Sequence, residues 1–82
     1  MKKFLMNLYD NDGRATGHTV VCNEVYFDTD TELRVVECNE IWYVCDCEGD
    51  AQARGGWVPT QLHNVKHAMT VLEFLKLEGL YC

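Results

Sequence analysis

Gly55-Gly56-Trp57-Val58-Pro59-Thr60-Gln61-Leu62, taken with Ile41-Trp42-Tyr43-Val44 upstream, decides the fold of this chain. The glycine pair permits a close backbone approach, Trp57-Val58 continues a strand, and Pro59 ends it because proline has no N–H to give a ladder. Thr60-Gln61-Leu62 then fits one tight helical turn. Ile41 to Val44, β-branched and aromatic, reads as a neighbouring strand. Both segments belong to a small β protein.

Working outward, Leu33 to Cys38 is a strand and Ile41 to Cys47 another, joined by a very short loop at Asn39-Glu40. Glu48-Gly49-Asp50 turns the chain towards a strand over Arg54 to Val58. Upstream, Lys3 to Tyr9 reads as the first strand and Asp10-Asn11-Asp12-Gly13 as a turn, since these residues supply left-handed conformations. Arg14 to Glu24 is a long excursion holding the β-favouring run His18 to Cys22, and Phe27 to Thr31 is turn-like. The C-terminal part permits a single helix from Thr60 to Glu78, or a helix starting at Thr70. The second reading explains both helix ends. Thr70-Val71-Leu72-Glu73 forms a capping box, Gly79 marks the stop, and His63 to His67 becomes a last short strand. The expectation is therefore a mainly β fold, a five-stranded barrel over residues 1–68, with residues 69–82 as a helical extension packed on it.

Eighty-two residues make one domain with a thin core, and an apolar content of 48% is enough to fold it. The net charge is −6, and nine acids but a single base, Arg34, lie between Glu24 and Asp50. That distribution excludes direct binding to a phosphate backbone and favours a basic partner or a solvated acidic surface. Met1 to Met6 starts basic, but its apolar run fails at Asn7 and Asp10, short of a signal peptide, and no run reaches membrane-spanning length. A cytoplasmic setting is expected. Five cysteines there are free thiols or metal ligands rather than disulfides.

With the strands placed, the chain resembles a Src-homology-3 (SH3) domain over residues 4–65. Leu8-Tyr9-Asp10 is similar to the family's Ala-Leu-Tyr-Asp-Tyr opening, and Glu24-Val25-Tyr26-Phe27 to its Glu-Leu-Ser-Phe. Trp42-Tyr43 stands where the family has Trp-Trp, and Gly56-Trp57-Val58-Pro59 where it has Gly-Tyr-Ile-Pro. Asn11 and Leu62 replace two of the usual groove tyrosines, and the loop from Tyr9 to Phe27 is longer than usual. The resemblance implies an SH3-like barrel that binds a peptide or protein partner. Tyr9, Trp42, Trp57 and Pro59 would line an aromatic groove, with Asp10, Asp12 and Glu24 as rim acids facing a basic ligand residue. Flat rings suit polyproline II ligands because that conformation is already populated before binding.

Cys45-Asp46-Cys47 followed by His63 and His67 forms a rival constellation, a zinc set on paper. Cys45 and Cys47, on one side of a strand about 6.6 Å apart, are the candidate ligand pair, with His63 or His67 as a further ligand. If His63 to His67 is one helical turn, both rings share a face and the site is feasible; on a strand they would lie about 13 Å apart, too far for one ion. Buried structural thiols and no cofactor are the plainer expectation. No nucleophile–base spacing, phosphate loop or helical His-Glu motif is present, so catalysis is not expected. Besides a groove-binding module, the chain is similar in size and acidity to small phage-encoded antagonists such as anti-CRISPR proteins. Such an inhibitor would cover a basic nucleic-acid-binding surface of a larger protein in the host cytoplasm.

Overall fold

Cys38 and Ile41 face each other across a two-residue turn in which Asn39 and Glu40 both take positive φ, 52° and 65°. Two left-handed residues in succession match the twist of the flanking strands, which is why so short a connection suffices. The Glu37 carboxylate accepts from the Glu40 N–H at 2.8 Å and helps hold that conformation. Around this hairpin the computed structural model describes residues 2–52 and 60–81. The strand expected over Arg54 to Val58 lies outside them.

Strands β1 (Lys3–Tyr9), β2 (Ala15–Phe27), β3 (Arg34–Cys38), β4 (Ile41–Cys45) and β5 (Ala51–Gln52) form one sheet in chain order, each antiparallel to its neighbour. The sheet curls on itself, because Asn7 of β1 meets Asp50 in a parallel bridge and donates its N–H to Gly49 O at 2.8 Å. Helix α1 (Val65–Glu78) follows. The fold is mainly β with one C-terminal helix.

Val35 and Val36 are adjacent on β3 and both fully buried, as are Val44 and Cys45 on β4. Successive residues point to opposite faces, so the middle of the sheet is covered on both sides. On one face Leu33, Val35, Val44 and Leu62 pack with Ala68, Val71, Leu72 and Leu75 of α1, and Trp42 and Phe74 border them. On the other, inside the curl, Met6, Cys22, Val36, Cys45 and Ala51 form a second cluster edged by Leu8, Cys38 and Tyr43. The helix thus lies along the outer face of β3 and β4.

Several expectations need correction. Residues 15–24 are not a loop excursion but the first part of β2, which runs on to Phe27. Residues 15–19 are exposed throughout, so no apolar alternation marked them as strand. β4 stops at Cys45, not Cys47, because Asp46 opens a turn. Leu62 makes no helical turn. It exchanges two backbone hydrogen bonds with Trp42, at 2.8 and 3.0 Å, and so extends pairing along β4.

The helix starts neither at Thr60 nor at Thr70. Asn64 is the N-cap, accepting from the His67 N–H at 2.7 Å, so His63 to His67 is not a strand. Thr70 lies inside the helix and returns its hydroxyl to Lys66 O at 3.0 Å. Asparagine is as good a cap as threonine, and the earlier start adds a turn that buries Ala68. The stop is as read: Gly79 takes φ 70°, and the Leu80 N–H reaches back to Leu75 O at 2.9 Å.

A buried carboxylate fixes the helix against the sheet. Asp28, 5% exposed, accepts from both the N–H and the hydroxyl of Thr31, and from Lys76 Nζ at 3.1 Å. The Thr31 hydroxyl chiefly, with Lys76 adding to it and burial opposing, holds the Asp28 carboxyl below the usual carboxylate range. Lys76 is raised, mainly by its hydrogen bond to Asp28. A carboxyl depressed on folding contributes stability above its unfolded pKa, near 3.8, and loses it as pH falls through the folded value. The lysine contributes below its unfolded value near 10.5 and loses it as pH rises through the raised one. Asp28→Asn should therefore lower the melting temperature at neutral pH, with the deficit shrinking below about pH 4. A deficit that stays constant down to acid pH would show that the charge on Asp28 does not contribute.

Candidate functional site

Two turns build one end of the molecule. In the first, Asp10 Oδ1 accepts from the N–H groups of Asp12 and Arg14, both at 2.9 Å, and Gly13 takes φ 78°. In the second, Asp46 is 1% exposed, and its Oδ1 accepts from the N–H groups of Glu48 at 2.9 Å and Asp50 at 3.0 Å. Gln52 Nε2 lies 3.4 Å from the other Asp46 oxygen. A buried carboxylate is tolerated here because backbone donors surround it. The second turn is tied to β1 by the Asn7 side chain, which donates to Glu48 O at 3.1 Å and to Asp50 Oδ1 at 2.8 Å.

Tyr9 ends β1 between these turns, half-buried. Burial first, then its hydrogen bond with Asp50 and the negative charges of Asp50, Asp46 and Glu48, push its phenol up to about 12. The fold therefore sets the Tyr9 hydroxyl beside Asp50, with the charges of Asp46 and Glu48 near enough to act on it. Asp10 adjoins it in sequence and Asp12 is exposed two residues on.

The other expected groove residues have different surroundings. Trp42 is half-buried on β4 against the helix-side cluster, and its backbone bridges to Leu62. Glu24 is committed internally, with its Oε1 2.8 Å from Arg34 Nε. The Arg34 guanidinium in turn lies 4.4 Å from the centre of the Phe4 ring and 4.6 Å from that of Phe27. Trp57 and Pro59 lie outside the described residues. Tyr9 thus keeps company with Asp46, Glu48 and Asp50, and Asp10 and Asp12 follow it in the adjoining turn. Sequence reading left those three among scattered acids. The turn at Glu48-Gly49-Asp50 was visible, but its docking on β1 depends on the long-range Asn7–Asp50 bridge.

The cysteines are arranged otherwise than expected. Cys45 ends β4 inside the curl, and burial chiefly pushes its thiol far up, which makes it a poor thiolate. Cys47 lies past the strand end in the turn, half-buried and disulfide-bonded, so the two do not share a strand face. His63 and His67 are exposed at the start of α1, which covers the opposite face of β4. Among the described residues no three His, Cys, Asp or Glu side chains are placed to hold a metal ion. No described helix is long and apolar enough to cross a membrane.

Comparison with known proteins places no relative beside this geometry: no family model, curated protein or solved structure matches the chain.

Proposed function

We propose that this chain is a small acidic protein-interaction module of SH3-like type that takes a peptide or protein segment carrying basic residues. The observation that carries the reading is the half-buried Tyr9, whose hydroxyl is hydrogen-bonded with Asp50 and lies within reach of the charges of Asp46 and Glu48. An arginine or lysine docking there finds an aromatic face for its stem and, in the exposed Glu48 and half-buried Asp50, carboxylates for its charge. Asp10 and Asp12 at the rim would steer the approach, while Trp42, with Trp57 and Pro59 of the expected groove, would extend the contact. A cytoplasmic partner goes with this reading.

The test uses a proline-rich peptide bearing arginine and its citrulline counterpart, titrated at low and high salt. The arginine peptide should bind more tightly, with the gap closing as salt is added. Tyr9→Ala should weaken it about tenfold or more, because aromatic anchors dominate such contacts. Asp12→Asn should act weakly and mostly at low salt. Equal affinity for the two peptides, or a silent Tyr9→Ala, would remove the reading.

A second reading, an inhibitor of anti-CRISPR type covering a basic nucleic-acid-binding surface, draws on acids other than those that act on Tyr9. Asp30 and Glu32 in the β2–β3 turn and Glu73 and Glu78 on α1 are all exposed. Substituting them together would abolish partner binding on this reading and leave it intact on the first.

A further inference from the structure

Cys22 on β2 and Cys38 on β3 stand opposite each other. The register pairs Asn23 with Glu37, and continuing it by one residue brings the two cysteines face to face. The pairing is firm at that point, because Asn23 Nδ2 donates to Glu37 Oε1 at 2.9 Å. Both side chains enter the cluster inside the curl, and the Cys22 thiol is hydrogen-bonded with that of Cys38. Directly opposed residues of antiparallel strands have Cα atoms about 4.5–5.5 Å apart, within the range a disulfide spans. Their exposure differs: Cys22 is 1% exposed, whereas Cys38 is only half-buried.

We propose that Cys22 and Cys38 form a reversible redox pair, oxidised to a cross-strand disulfide by a small-molecule disulfide such as oxidised glutathione. The chemistry divides between an accessible thiol and a buried one. Cys38, as thiolate, attacks one sulfur of the oxidant, whose S–S bond breaks and releases one glutathione thiolate. Cys22 then loses its proton and attacks the Cys38 sulfur, expelling the second glutathione. Two protein thiols are oxidised and one glutathione disulfide is reduced to two thiols. Burial first, and then the neighbouring Cys38 and Glu37, push the Cys22 thiol up to about 11, which suits the resolving role and not the first attack. The bond would staple β2 to β3 and close the chain from Cys22 to Cys38, stabilising the sheet under oxidising conditions.

The experiment incubates the intact folded chain with oxidised glutathione, followed by intact mass, peptide mapping and thermal melting. The expected product is about 2 Da lighter, carries a Cys22–Cys38 linked peptide, melts several degrees higher and reverts with reductant. Cys22→Ala should instead stop at a glutathione adduct on Cys38. The wild-type map decides the matter even if that variant folds poorly. Retention of both thiols by the folded protein, or linkage of either one to a different cysteine such as Cys45, overturns the proposal.

Discussion

Leu75→Ala is expected to lower the unfolding free energy by about 3 kcal/mol, the middle of the range for truncating a buried leucine. Leu75 and Leu72 are both fully buried in the cluster that joins α1 to Val35 and Val44. Small domains are stable by only about 5–15 kcal/mol, so this one side chain decides a large part of the total. The loss should be hard to relieve, because the cavity would be walled by a β-sheet on one side and a helix on the other. Leu77, two residues on, is 84% exposed, and Leu77→Ala should leave the urea midpoint within error. Truncation after Ala68, which removes Val71, Leu72 and Leu75 together, should leave the outer face of β3 and β4 uncovered and cost more than either substitution. Equal midpoints for Leu75→Ala and Leu77→Ala would show that the helix is not docked.

That contrast also shows what the sequence could carry. A C-terminal helix packed on the sheet was legible, and Gly79 as its stop, because both signals are local. The helix start was not, since Asn64 and Thr70 are comparable caps, and burial of Ala68 against the sheet favours the earlier one. The hairpin at Asn39-Glu40 was legible from the shortness of the gap between two apolar runs. The first part of β2 was hidden, because its exposed residues are held by pairing with β1 and not by a buried face. At the candidate site Tyr9, Asp10 and Asp12 are neighbours in sequence, read there as part of a larger groove and rim with Trp42, Trp57, Pro59 and Glu24. Asp46, Glu48 and Asp50 join Tyr9 through closure of the sheet between its first and last described strands. That contact has no local signature, because it depends on the register of every strand between.

Gly49 is where that closure is most exposed to test. Its φ is +86°, and a Cβ built there would sit 2.5 Å from Leu5 O and 3.5 Å from Phe4 Cε2. Alanine would meet a left-handed conformation costing about 1–2 kcal/mol and, beyond that, a backbone oxygen that cannot move without opening β1. Relief of the clash would pull the turn away from Asn7, breaking its 2.8 Å bond to Gly49 O and the side-chain bonds to Glu48 O and Asp50. The total expected loss is about 3 kcal/mol or more. Gly17 supplies the control, because its φ is +79° but nothing lies within 4 Å of a Cβ there. Gly17→Ala should cost about 1 kcal/mol, so the difference between the two variants isolates the close approach from the backbone conformation. The same displacement should take Asp50 and Glu48 away from Tyr9. In Gly49→Ala that remains folded, the Tyr9 phenol should titrate below about 12, because the Asp50 and Glu48 contributions are lost while burial still raises it, and the arginine peptide should lose affinity. A variant as stable as Gly17→Ala, with Tyr9 still titrating high, would show that the turn reaches β1 without needing a bare backbone at Gly49.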